Sequence, residues 1–187
     1  MTQAREQDDG YCGNRGGALP PIFHTKWGLF PITVLVFSIV FLVSSMIPVE
    51  SDLAKSIVES LKESMSLSPS DIFIHNLLLS LVMMIPVFGF IFSLFSSSLS
   101  GMAVSAFSTV FGSNPLRVAI SLISTPEGIL EFIAYGLASA QGLAGFFAIV
   151  EKRFRNELKE YLLTTIMLIV ILFIAALLES ARVTGSL

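Results

Sequence analysis

Three carboxylates stand where carboxylates are costly. Glu127 and Glu131 lie four residues apart at the head of one long apolar run, in STPEGILEFIAYG, and Glu179 stands near the end of another, in AALLES. His75 and Asn76 interrupt a third apolar run, FIHNLLLS, and Arg117 shortly precedes the first. Two carboxylates can do acid and base work, but the other parts of an intramembrane enzyme are missing. The two histidines, His24 and His75, are not one turn apart, so no H-E-x-x-H zinc pair exists. No G-x-S-x-G turn presents a nucleophile, no aspartates pair inside apolar runs, and no glycine loop is built to cradle phosphate. The expectation is a non-enzyme with no cofactor and no metal site. Ionisable groups at membrane depth face a bundle interior and find partners, whether their role is structural or substrate-handling.

Composition says why membrane depth is the relevant setting. The 187 residues are 53% apolar and 13% charged, against roughly 25% charged in an average soluble domain. Mean hydropathy is +0.80. The chain reads as an all-α, multi-pass membrane protein of the cell membrane, with the lipid bilayer as its solvent. A net charge of −3 and the lack of a basic stripe give no reason to expect nucleic acid. The single cysteine, Cys12, rules out an internal disulfide and reads as incidental.

The elements that must hold these groups follow from the apolar runs. Residues 1–26, with GYCGNRGGALPP, read as a polar, disordered tail, and 27–187 as the transmembrane domain. About five spans are expected, at 27–47, 71–95, 99–112, 127–150 and 161–179. Trp27 suits an interface anchor, and no A-x-A site follows the first span, so it reads as retained. Leu53, Ile57, Val58, Leu61 and Met65 form one stripe, predicting an amphipathic surface helix over about 51–66, on the membrane or packed on the spans. Ser68 and Pro69 open the next helix, which Pro86 and Gly89 can kink. SSSLSG, 96–101, reads as a short turn, and GSNP, 112–115, as a strong one. The third span is therefore short, with a broken or re-entrant continuation in PLRVAISLIS.

Basic residues set the orientation. With the N-terminus inside, Arg5, Arg15, Lys26, Lys152, Arg153, Arg155 and Lys159 are cytoplasmic, against Lys55, Lys62, Arg117 and Arg182 outside. The C-terminus is then outside. In that topology Glu127, Glu131, Glu179, His75, Asn76 and Arg117 all gather in the outer third of the membrane, a polar seam. Glu127, in the first turn, is expected at the membrane surface. Glu131, one turn deeper, is expected to face the bundle and touch a donor of the same layer, Asn76, His75 or Arg117, with Glu179 as a neighbour. By depth alone, Glu131→Gln should cost more stability than Glu127→Gln. Ala134, Ala138 and Gly142 recur every four residues, a small-residue face for close packing within the bundle or across a homodimer.

The run TPEGILEFIAYGLASAQG resembles the P-H-G-x-x-E-x-x-A signature of the stage II sporulation protein M (SpoIIM) family. Pro126, Gly128, Glu131 and Ala134 match it; Glu127 stands where the family usually has histidine. Asn76 resembles the family's asparagine in an earlier span, which makes it the preferred partner for Glu131, and AALLES resembles the family's A-A-x-x-E-x ending, which places Glu179. The family's N-G-x-x-x-G element is reduced to SSSLSG, which keeps Gly101. The resemblance covers roughly 73–184 and implies a polytopic membrane scaffold that anchors other membrane or envelope proteins, without implying sporulation. The rival expectation is a transporter or channel subunit, drawn from the broken third span and the polar seam.

Overall fold

The computed structural model describes residues 25–64, 68–152, 154–183 and 185. Most of the polar tail, with Cys12, and the last residues of the expected amphipathic segment lie outside the described residues. Among those described, every regular element is helical: α1 (Lys26–Ser45), α2 (Ser51–Ser64), α3 (Pro69–Met83), α4 (Phe88–Phe111), α5 (Pro115–Ser124), α6 (Pro126–Val150) and α7 (Phe154–Val183). Four are long and apolar enough to cross a membrane: α1, α4, α6 and the Glu157–Arg182 part of α7. The apolar helices α3 and α5 are shorter.

Local chemistry sets the ends of these helices. The Thr25 hydroxyl accepts from the Gly28 amide at 3.3 Å and caps α1. Asn114 caps α5 by accepting from the Arg117 amide at 3.1 Å, with Pro115 at the first helical position. Gly112, at φ 65°, terminates α4 in the left-handed conformation that glycine adopts without steric cost. These are the breaks that GSNP announces.

Two expected boundaries are corrected. The segment expected to run from 71 to 95 as one kinked span is instead two helices, since α3 stops at Met83. Pro86 has no N–H to offer Val82 and disfavours a helical Ile85 before it. The chain turns through Val87, a β-branched residue at φ 69°, before α4 begins. SSSLSG is not a turn: it lies in the middle of α4, so the helix before GSNP has 24 residues. Its small polar residues serve packing. The Ser97 hydroxyl donates to the Phe37 carbonyl at 2.7 Å, Ser98 shares a hydrogen bond with Ser44 at 3.0 Å, and Ser105 donates to the Ile47 carbonyl at 2.5 Å. A Cβ on Gly101 would stand 2.8 Å from that of Ser44. Serine and glycine let the backbones of α1 and α4 approach, which bulkier residues would prevent.

These pairs make α4 parallel to α1. Helix α6 runs antiparallel to α1: Thr33 donates to the Gly136 carbonyl at 2.7 Å, and Leu29 packs with Ala140 and Ala144. Helix α7 is antiparallel to α6, and α3 is parallel to it. The central α6 buries Ala134, Ala138, Ala140, Ala144 and Ala148 completely. A Cβ on Gly142 would lie 2.6 Å from the Met83 carbonyl, so the small-residue face is occupied by the end of α3 within the same chain. Phe37, Met83, Ala134, Ala138, Leu168 and Leu172 form the main core.

Two further layers flank that core. At one end Lys26 is buried: its ammonium donates to Thr164 at 2.8 Å and pairs with Glu160 at 2.9 Å. The Thr164 hydroxyl in turn donates a hydrogen bond to Gln141 Oε1 at 2.9 Å. At the other end α5 lies over α1 and α4, seating Ala119 against Phe41 and Val104. Helix α2 packs on α4 through Ala54 and Val58 against Ala106, an i,i+4 pair of its own. Leu53 and Leu61, members of the expected stripe, stay exposed.

Candidate functional site: an acidic cavity among the outer helix ends

The polar residues collect where α3, α6 and α7 meet beneath α5. The local sequence places each of them. Thr125 begins α6: its hydroxyl accepts from the Gly128 amide at 3.1 Å and donates to the Leu122 carbonyl at 2.8 Å, tying α5 to α6. Pro126 occupies the first helical position. Gly128 faces the Leu122 carbonyl so closely that a Cβ would collide with it. Glu131 follows one turn after Glu127, and Ala134, fully buried, leaves room for the core beneath. The four residues of the P-x-G-x-x-E-x-x-A pattern thus start a helix, admit α5, present a carboxylate and permit close packing.

Glu131 Oε1 accepts a hydrogen bond from Asn76 Nδ2 at 2.8 Å, joining α6 to the buried Asn76 of α3. The preferred partner is therefore the observed one. Glu179 is half-buried and close enough to act electrostatically on both Glu131 and Glu127. His75 is exposed and stands at the edge of the cavity.

Two expectations fail. Glu127 is not at a water-facing surface: it is only 4% exposed and forms an ion pair with Arg182 of α7. Depth along α6 misjudged it, because the end of α7 brings Arg182 against the first turn of α6. Arg117 does not join the seam. It is exposed on α5, and the hydrogen bond shown for it is the one its backbone amide gives Asn114.

Arg182 was legible only as an outer-side charge. A sharper signal was available, since it lies three residues after Glu179 and so shares its helix face. Tyr135, one turn below Glu131, is the second residue that gains importance. It is nine-tenths buried and lines the same cavity.

The cavity has a volume of about 260 Å³. Glu127, Glu131, Glu179, Asn76, Arg182 and Thr125 supply its polar lining, and Phe37, Phe41, Phe132 and Tyr135 its aromatic walls. Phe132 meets Phe37 and Phe41 edge-on, with ring centroids 5.2 and 5.3 Å apart. Such edge contacts fix ring positions and give the cavity a rigid floor. Among the described residues, no three His, Cys, Asp or Glu side chains are grouped as a metal site would need.

No curated protein and no solved structure matches the chain significantly. The model of one family does match, over residues 28–182, a stretch that contains the capped start of α6, Asn76 and Glu179. With most of its length matched, and with helices apolar enough to cross a membrane, the chain belongs to the stage II sporulation protein M (SpoIIM) family.

Proposed function

We propose that this protein is a non-enzymatic, multi-pass scaffold of the cell membrane that holds other membrane or envelope proteins, a second copy of itself among the possible partners. In this reading α1, α3, α4, α6 and α7 each cross the bilayer, with the N-terminus inside and the C-terminus outside. The alternating helix directions support five crossings. Helix α3 has 15 residues, about 22 Å at 1.5 Å per residue, and crosses only where the bundle shields its ends.

The observation that carries the scaffold reading is how the polar groups are used. Asn76 with Glu131, and Glu127 with Arg182, tie α3 to α6 and α6 to α7 at one level. Beneath them Ala134, Ala138, Leu168 and Leu172 are completely buried. Around that apolar centre the buried Thr33 and Ser80 hydroxyls donate to the Gly136 and Asn76 carbonyls, so the level between the outer polar layer and the inner one at Lys26, Gln141 and Thr164 is closely packed, with its hydroxyls turned onto helix backbone. Such a bundle suits a rigid platform better than a permeation path.

The rival reading, a transporter or channel subunit, draws on the same cavity and its three carboxylates. Two measurements on the full-length protein separate the readings. Photocrosslinking in native membranes should recover a reproducible set of membrane or envelope proteins, and proteoliposomes should show no ion or solute flux above empty vesicles. Flux that disappears with Glu131→Gln would overturn the scaffold reading in favour of its rival.

A further inference from the structure

We propose that the outer cavity binds a small organic ammonium ion, a protonated primary amine. This site does not rest on the scaffold reading, and either can fail without the other.

The first observation is an imbalance of charge. Three carboxylates line the cavity, against one guanidinium, that of Arg182, and one imidazole, that of the exposed His75 at its edge. Glu127 takes that guanidinium. Glu131 has only a neutral donor, Asn76, on one of its oxygens. Glu131 and Glu179 also act on each other. Carboxylates held together at the membrane level need a cation or protons to compensate them.

The second observation is independent of the carboxylates. The Tyr135 side chain is nine-tenths buried and lines the cavity, yet its hydroxyl makes no hydrogen bond among the described residues. The ring is buried but the hydroxyl is not among the buried polar atoms left without a partner, so it meets the open space of the cavity it lines. It stands within electrostatic reach of both Glu131 and Glu179. Three acceptors from two helices thus border one space, and an ammonium group carries three donors and no acceptor.

The walls argue for an organic ion over a bare metal ion. The acidic side chains are not grouped as a metal needs. Phe37, Phe132 and Tyr135 supply the aromatic surface that stabilises a partly desolvated ammonium. The 260 Å³ volume lies just below the roughly 300–1,000 Å³ of drug-sized ligand pockets, a fit for a small amine. The same chemistry could arrive as a soluble amine from outside or as the headgroup of an aminolipid lying against the outer helix ends.

The test uses the full-length protein in nanodiscs. In discs of phosphatidylcholine alone, ethanolamine is titrated by calorimetry. In discs that also contain phosphatidylethanolamine, native mass spectrometry reads the lipid retained. Saturable ethanolamine binding in the first arm identifies a soluble amine. Selective retention of the aminolipid with no soluble binding identifies a headgroup. In whichever arm is positive, Glu179→Gln should weaken binding about tenfold, as loss of a charged hydrogen-bond partner does. Tyr135→Phe, which keeps the ring and its packing, should weaken it about threefold or more. Should the glutamine variant fail to fold, Tyr135→Phe decides alone. The proposal is overturned by no binding in either arm, by binding that Tyr135→Phe leaves unchanged, or by calcium binding that Glu179→Gln abolishes where no amine binds.

Discussion

Glu127 and Glu131 are one helical turn apart and have different partners, a guanidinium and an amide. That difference predicts different costs. Glu127→Gln leaves the half-exposed Arg182 facing a neutral, buried group, whereas Glu131→Gln still offers Asn76 an acceptor. Glu127→Gln should therefore be the more destabilising, by roughly 1–3 kcal/mol for a lost buried charged partner, against under about 1 kcal/mol for Glu131→Gln by the same reasoning. This order is the reverse of what depth along the helix suggests. A double-mutant cycle with Arg182→Gln checks it. The double variant should be little worse than Glu127→Gln alone, and additive losses would show that the pair is not coupled. Depth alone left Asn76, His75 and Arg117 open as partners of Glu131, and the Asn76 contact was readable because Asn76 also falls within the family resemblance. The Glu127–Arg182 pair was not, because nothing in the local spacing says that the end of α7 will lie against the first turn of α6.

At the scale of elements, the long apolar helices and their breaks follow from the sequence where caps are unambiguous. Thr125-Pro126, Gly112 and Asn114-Pro115 each mark a boundary with its own backbone chemistry. The serine run in α4 carries no such mark. Serine and glycine favour turns in water but favour close helix contact in a membrane, so the same letters serve both states. Only the facing α1 decides between them. This account predicts that Gly101→Leu, at the crossing with Phe41 and Ser44, overpacks the contact. The expected loss is about 1–3 kcal/mol, read as a lower melting temperature in detergent. Thr109→Leu, at an exposed position of the same helix, should be tolerated. Equal tolerance at both positions would contradict the parallel α1–α4 contact. Gly142→Leu should likewise lower stability with no change in oligomeric size, since its neighbour is Met83 of the same chain. Dissociation of an oligomer without loss of monomer stability would place that face between copies instead.

At the scale of the whole molecule, the parts form layers: a buried Lys26–Thr164–Gln141 network, a closely packed middle, and an acidic cavity capped by α5. In the topology proposed from charge bias and helix directions, the acidic layer lies outside and the Lys26 layer inside. Every functional statement about the cavity depends on that polarity, because an amine or an envelope partner reaches it only from the outer face. The most direct measurement is thiol accessibility in intact cells, with Cys12 replaced by serine. Glu59→Cys on α2 and Lys159→Cys on α7 both occupy exposed positions. An impermeant maleimide should label position 59 in intact cells and position 159 only after the membrane is permeabilised. Labelling of both positions from outside, or of 159 alone, would contradict the five-crossing, N-terminus-inside arrangement and the outward-facing cavity.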